Sequence, residues 1–321
     1  MSASTEQDCA VHSVHEFVFS VPDLAEARHF YTSFGLEVRA EGDALGLYTV
    51  GRSHRWAVIM GGAGKRLLWI TLGIVAGQAA AFRQRLARHG VAESTAPAGA
   101  PPDGIWLRAP DGLPVRLLEA DKCSPSVNTE RVFAPATASS GRAPHRSEIR
   151  PVQPGHLSHI LLFTPDVNAT VQFYIDVLGL KLSDRSAGIV AFLHSPHGSD
   201  HHLLAFATST HYGLHHSSWD VPSFDAVGLG AQQMAAAGYR DGWGLGRHVL
   251  GSNYFRYVRD PWGGYAEYSF DIDFIPAGST WPAADHPIED SLYVWGPDVP
   301  PDFIDNLEAP LEYELPSHKN F

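Results

Sequence analysis

Cysteine is nearly absent from this chain: its 321 residues hold only Cys9 and Cys123. Two thiols cannot build a disulfide framework, and one of them sits in the polar N-terminal stretch MSASTEQDCA, so the expected compartment is a reducing cytoplasm. The same stretch has no basic segment followed by an apolar one and does not read as a secretion signal. Basic residues are also scarce, with 23 Lys+Arg against 35 Asp+Glu and a formal charge of −12. Nucleic acids and anionic membranes attract a basic face, so neither is an expected partner. Long hydrophobic runs are missing too. The most apolar window, Leu67 to Phe82, is broken by Thr71, Gly73, Gly77 and Gln78 and is too short to cross a bilayer.

What is present is an ordinary globular composition, 44% apolar and 18% charged, over a length at which a single core usually divides. The stretch from Ser124 to Pro154 is rich in Pro, Ser, Thr and Ala and has no apolar periodicity, the composition of a linker. It separates two similar halves. HEFVFSVPDLAEARHFYTSFGLEV starts at His15 and HILLFTPDVNATVQFYIDVLGLKL at His159, each reading strand, Pro-Asp, helix, Gly. Asp23 and Asp166 are placed to cap helix N-termini, and Gly35 and Gly179 to close the helices as C′ glycines. The turns RAPDG from Arg108 and RDPWG from Arg259 match as well, and further helices are expected over 77–89 and 223–237. The predicted fold is α+β, built from tandem βαβββ modules, two modules in each of two domains. The N-terminal domain spans 8–123, the linker 124–153 and the C-terminal domain 154–275. Residues 276–321 form a tail whose Tyr293, Trp295, Phe303 and Ile304 are apolar enough to pack on the second domain.

Chemistry concentrates in the second half. His159 and His216 stand on the opening strands of its two modules and Glu267 on a late strand. Two neutral imidazoles and one carboxylate with open coordination positions form the facial set favoured by non-haem Fe(II), with Mn(II) next. Period-2 alternation puts His159, Leu161 and Phe163 on one face of their strand and Tyr265, Glu267 and Ser269 on one face of theirs.

With SHILLFTPD, HHLLAFA, LHHSSWDV, LGRH and SNYFRYVRDPWGGYAEY, residues 12 to 275 resemble the two-domain type I extradiol ring-cleavage dioxygenases of the vicinal oxygen chelate superfamily. The resemblance implies that His159, His216 and Glu267 hold Fe(II), or Mn(II) in its place. It makes His202 the acid/base histidine, and His248 and Tyr257 hydrogen-bond donors to substrate and oxygen. It implies a catecholic substrate and O2 as partners, a ring-opened semialdehyde or keto acid as product, and a homo-oligomer of four or more chains. The first half departs from the pattern, with Glu16, apolar residues near Leu68 and Trp69, and Arg116 at the three ligand places, and is expected to be metal-free.

His156 competes with His159 but lacks its spacing to Asp166, and strand alternation allows only one of His201 and His202 to face the metal. His194, His197, His201, His211 and His215 are read as surface or satisfied core residues. Arg256 alternates with Tyr257 and should point away from the pocket. Trp243, where carboxylate-handling relatives would carry Arg, leans towards a substrate without a carboxylate. Two other functions share the scaffold: a Zn- or Ni-dependent glyoxalase-like isomerase, which usually recruits four protein ligands, and a metal-free small-molecule binding protein.

Overall fold

The computed structural model describes residues 9–129 and 143–308, so the first residue of the expected N-terminal domain, the middle of the expected linker and the end of the expected tail lie outside the described residues. The first half is a seven-stranded sheet with two helices. It runs β1 (Val11–Val21), α1 (Leu24–Ser33), β2 (Glu37–Glu41), β3 (Ala44–Tyr48), β4 (Arg55–Gly61), β5 (Arg66–Ile74), α2 (Ala79–Arg88), β6 (Ile105–Arg108) and β7 (Pro114–Glu119), in the sheet order β2-β3-β4-β1-β5-β7-β6. The second half runs β8 (His156–Thr164), α3 (Val167–Asp176), β9 (Lys181–Ser186), β10 (Val190–His194), β11 (Ser199–Asp200), β12 (Leu204–Thr208), β13 (Gly213–Asp220), α4 (Phe224–Ala236), β14 (Gly242–His248), β15 (Tyr254–Arg259) and β16 (Tyr265–Phe270). Short strands β17 (Phe274–Ile275), β18 (Asp285–His286) and β19 (Tyr293–Trp295) follow, and the larger sheet has the order β18-β9-β10-β12-β8-β13-β16-β15-β14-β19. This is the mixed α+β architecture expected from the repeat. Among the described residues no helix is long and apolar enough to cross a membrane.

The local signals act as anticipated. The Asp23 carboxylate accepts from the Ala25 and Glu26 amides at 2.8 and 3.0 Å, and Asp166 accepts from Ala169 at 2.9 Å. Gly35 and Gly179 have φ of +99° and +76°, and each meets the opposite half of the chain. A Cβ on Gly35 would lie 2.0 Å from the Val152 carbonyl oxygen, and one on Gly179 would lie 2.5 Å from that of Cys9. Helix α3 ends with Val177 as its C-cap, so Gly179 falls one residue later than a C′ glycine. Cys9 itself is 1% exposed and belongs to the core, which corrects its reading as part of a polar tail. The second module carries two strands after its helix instead of three. Its segment ESTAPAGAPPDG has Pro97, Pro101 and Pro102, which lack ladder donors, and the Ser94 amide makes a single bond to the Trp106 carbonyl there.

The ladders show how closely the halves correspond. Glu16 pairs with Thr71 and Thr71 with Arg116 across β1, β5 and β7. His159 pairs with Ser218 and Ser218 with Glu267 across β8, β13 and β16. Glu16, Trp69 and Arg116 therefore occupy the places of His159, His216 and Glu267. Val18, Trp69 and Trp106 pack together on the face that is hollow in the second half. The halves are joined by the buried Lys65–Asp260 ion pair at 2.6 Å and by Glu308. The Glu308 carboxylate accepts from the equivalent amides of Leu67 and Leu214 at 2.7 and 2.8 Å.

Candidate metal centre

Three neighbouring strands bring His159, His216 and Glu267 together on the concave face of the second sheet, all buried. Nε2 of His159 and Nε2 of His216 are 3.3 Å apart, and they lie 3.3 and 3.6 Å from Glu267 Oε2. Donors bound at about 2.1 Å and at right angles would stand about 3.0 Å apart, so a cation fits with small side-chain adjustments. Glu267 Oε2 is sealed from solvent and has no hydrogen-bond partner, while Oε1 accepts from Asn253 Nδ2 at 3.1 Å. A buried carboxylate oxygen left bare beside two imidazole nitrogens is the donor set a divalent metal requires.

The outer nitrogens of the imidazoles are held by their surroundings. His215 donates from Nε2 to the Phe303 carbonyl at 2.6 Å, and its Nδ1 lies 2.6 Å from Nδ1 of His216. A carbonyl only accepts, so the neutral His215 presents a lone pair to the His216 Nδ1–H, and His216 keeps its own lone pair on Nε2. Burial pushes His215 down to about 4 and holds His216 well below the usual imidazole range, so both are neutral near pH 7. Ser158 Oγ lies 3.3 Å from His159 Nδ1 and donates to Asp200 at 2.7 Å. His215, read as a bland residue in the sequence, is thus a positioning residue. Asn253 was not singled out there, and Phe303 only as an apolar residue of the tail. The only signal for His215 is its adjacency to His216 in LHHSSWDV.

The other candidates sort by what they touch. His202 lines the cavity, its ring centre 4.0 Å from that of His159. Its Nδ1 is 3.0 Å from Nδ1 of His201, whose Nε2 is 2.9 Å from Asp184. Burial would raise Asp184, but hydrogen bonds from His201, His286, Ala284 and Trp281 outweigh it and hold the carboxyl down at about 2. Burial first, then the neighbouring imidazoles of His159 and His201, push His202 well below the usual range and leave it neutral. His156 faces Asp200 and Asp220 at 3.8 and 3.7 Å. Tyr257 and His248 both line the cavity, but they are bonded to each other, the Tyr257 hydroxyl 2.9 Å from His248 Nε2. His248 Nδ1 donates to the Leu292 carbonyl at 2.8 Å, and burial lowers its pKa, so its Nε2 accepts the Tyr257 hydrogen. Arg256 turns away to the carbonyls of Gly244 and Arg240. Trp243 stands behind the wall, stacked on Tyr257 and donating to the Pro297 carbonyl at 2.9 Å.

The cavity in front of the three donors has a volume of about 430 Å³ and mostly apolar walls, and among the described residues no Lys, Arg, Asp or Glu side chain lines it. The strand side contributes Leu161 and Phe192, and the tail contributes Leu292, Pro301, Phe303 and Ile304. In the first half the corresponding space is closed. Arg55, two residues ahead of Ala57 as His202 is ahead of Leu204, reaches Glu16 at 2.6 Å, and Arg116 reaches Asp103 at 2.6 Å.

Residues 156–268 match the family model of the glyoxalase/bleomycin resistance protein/dioxygenase superfamily. Metapyrocatechase 2 of Cupriavidus necator is 48% identical over 300 residues, 94% of this chain and 93% of that protein. The chain belongs to the extradiol dioxygenases of this superfamily. An iron-dependent extradiol dioxygenase of Rhodococcus jostii is 30% identical over 47% of this chain and 53% of its own length. The fold of this dioxygenase also superposes on the Mn(II)-bound glyoxalase of Novosphingobium aromaticivorans with a TM-score of 0.70 at 23% identity, covering 90% of this chain and 92% of that one. Metal dependence runs through the family, in iron and manganese forms.

Proposed function

We propose that this extradiol dioxygenase uses Fe(II), held by His159, His216 and Glu267, to open the ring of a catechol whose substituent is apolar and uncharged, inserting both atoms of O2. The bare Oε2 of Glu267 beside the imidazoles of His159 and His216 carries the ligand reading. When bound at His159, His216 and Glu267, the metal would supply Lewis-acid chemistry, lowering the cost of ionising the catechol. His202 takes the catechol proton at Nε2: in the arrangement where Asp184 accepts from His201 Nε2–H and His201 Nδ1 accepts from His202 Nδ1–H, the lone pair of His202 is on Nε2. Tyr257 and His248 act as one unit. His248 becomes a donor towards substrate oxygen once Nε2 holds a proton, while the Leu292 carbonyl keeps Nδ1 fixed.

Leu161, Phe192, Leu292 and Phe303 exclude water and favour an apolar ring substituent. A carboxylate on the ring substituent would be desolvated with no cationic side chain among the described residues to meet it. The test is oxygen uptake by metal-free protein reconstituted with Fe(II) or Mn(II), offered alkyl- or aryl-substituted catechols and carboxylated ones. Activity with Fe(II) and a preference for the uncharged substrates support the reading. Activity restored by Mn(II) alone would reassign the metal, and a preference for carboxylated catechols would overturn the pocket assignment.

A further inference from the structure

Outside this centre, one other gathering of metal-ligating side chains stands out among the described residues, and it lies in the half whose catalytic equivalents are salt-bridged. His15 on β1, His54 just ahead of β4 and Cys123 beyond β7 each bring a donor atom within 4.8 Å of the other two. The imidazole rings meet edge-on, their centres 4.8 Å apart and their planes at 81°.

A second observation points to a ligand there. His15 Nδ1 is sealed from solvent and has no hydrogen-bond partner. A buried polar nitrogen without a partner costs stability unless something fills its lone pair. His54 is already oriented for the same purpose. Its Nε2 lies 3.0 Å from the His15 carbonyl oxygen, which only accepts, so Nε2 carries the proton and Nδ1 keeps the lone pair. A ring nitrogen donating to a backbone carbonyl while the other stays free is the usual arrangement of a metal-binding histidine. The Cys123 thiol makes a long contact, 3.5 Å from Sγ to the Val14 carbonyl, which a metal bond can replace. Of the cationic neighbours, Arg55 is paired with Glu16 and Glu41 and Arg116 with Asp103, while Lys122 donates to the Ser124 and Pro125 carbonyls and favours the Cys123 thiolate. All three candidate ligands are half-buried, which leaves an entry path for an ion.

We propose that His15, His54 and Cys123 form a second metal site, specific for a borderline-soft divalent cation of the zinc class, with water in the fourth position. The thiolate sets the preference, since sulfur and imidazole ligands select zinc, whereas the carboxylate-containing set of the dioxygenase centre suits iron or manganese. On binding, the Cys123 thiol forms the metal–sulfur bond and releases its proton to solvent. The ion would tie together β1, the loop before β4 and the chain leaving β7, at the point where the linker begins.

The test uses the metal-free full-length chain and Co(II) as a spectroscopic stand-in for Zn(II). A cobalt–thiolate charge-transfer band in the near ultraviolet can arise only at a sulfur-containing site, so its readout is independent of ring cleavage. The band is expected to saturate at one equivalent per chain, to be displaced by Zn(II), to survive Glu267→Ala and to disappear in Cys123→Ser and His54→Ala. Absence of the band in the wild-type chain, or its persistence in folded Cys123→Ser, overturns the proposal. Should the variants not fold, the wild-type chain still decides. Zn(II) is expected to slow reaction of Cys123 with a thiol reagent at least tenfold, and an unchanged rate refutes the site.

Discussion

Replacing His215 by Phe tests whether the catalytic centre depends on a side chain that touches neither metal nor substrate. The ring is buried, spans the 2.6 Å contacts to the Phe303 carbonyl and His216 Nδ1, and packs among Phe163, Tyr265 and Phe303. Phenylalanine preserves most of that packing but removes the acceptor that fixes the His216 tautomer. Loss of an outer-shell partner of this kind costs about 10–100-fold in metal affinity, equivalent to about 1.4–2.7 kcal/mol. The orphaned Phe303 carbonyl adds about 1–3 kcal/mol of destabilisation. Oxygen uptake measured against free Fe(II), buffered by a chelator, should show half-activation moved to higher metal by that factor, with most of the maximal rate recovered at excess iron. His211→Phe is the control, because His211 bonds the tail through the Glu308 carbonyl at 2.9 Å without contacting a metal-binding imidazole. A folded His215→Phe enzyme with unchanged iron dependence, or equal shifts in both variants, would refute the tautomer argument.

His202→Phe is expected to retain iron by metal analysis yet lose about 10²–10⁴ in turnover, the worth of a positioned acid/base; wild-type turnover would exclude that role. Lys65→Met strands the Asp260 carboxylate in a buried site and should cost about 3–5 kcal/mol in denaturant unfolding. The double variant Lys65→Met/Asp260→Asn should recover part of that loss, and an unaltered midpoint in the single variant would show the pair to be dispensable. In metal-free protein, burial holds His15, His194 and His215 at about 4. Each is neutral when folded and takes up a proton on unfolding, so this stability is complete above about pH 6.5 and is lost as pH falls towards 4. Asp220, pushed up to about 7 by burial, titrates in the opposite sense and offsets one of the three. These four groups alone should give a slope of about 2–3 kcal/mol per pH unit near pH 5, to which His202, His216 and His248, also held low by burial, add in the same sense, and a flat profile between pH 7 and 5 would contradict it.

Much of this molecule is legible from local pattern. The Pro-Asp caps act within three residues, and the alternation of HILLF and YAEYSF depends only on the pleat, so the strands and the inward turn of His159 and Glu267 follow from the order of residues. Because the repeat aligns the halves, Glu16, the apolar residues near Leu68 and Trp69, and Arg116 stand against the three donors in the sequence alone, and the ladders narrow the middle place to Trp69. The strand missing from the second module was written in its prolines, but a module template concealed it. Cys9 looked peripheral because its sequence neighbours are polar, whereas its burial comes from the second half, next to Gly179.

What tertiary structure alone decided is which atoms carry protons and which walls enclose the site. The tautomer of His216 is set by a carbonyl at Phe303, and His202 is linked to Asp184 through His201, contacts between segments far apart in the chain. Tyr257 and His248 share one hydrogen bond because β14 and β15 are neighbours, not because of their spacing. Periodicity reports the face on which a side chain lies, so the sequence by itself determined the modules, the repeat and the donor set. Hydrogen-bond partners and cavity shape arise where distant segments meet, and only the folded chain contains that information.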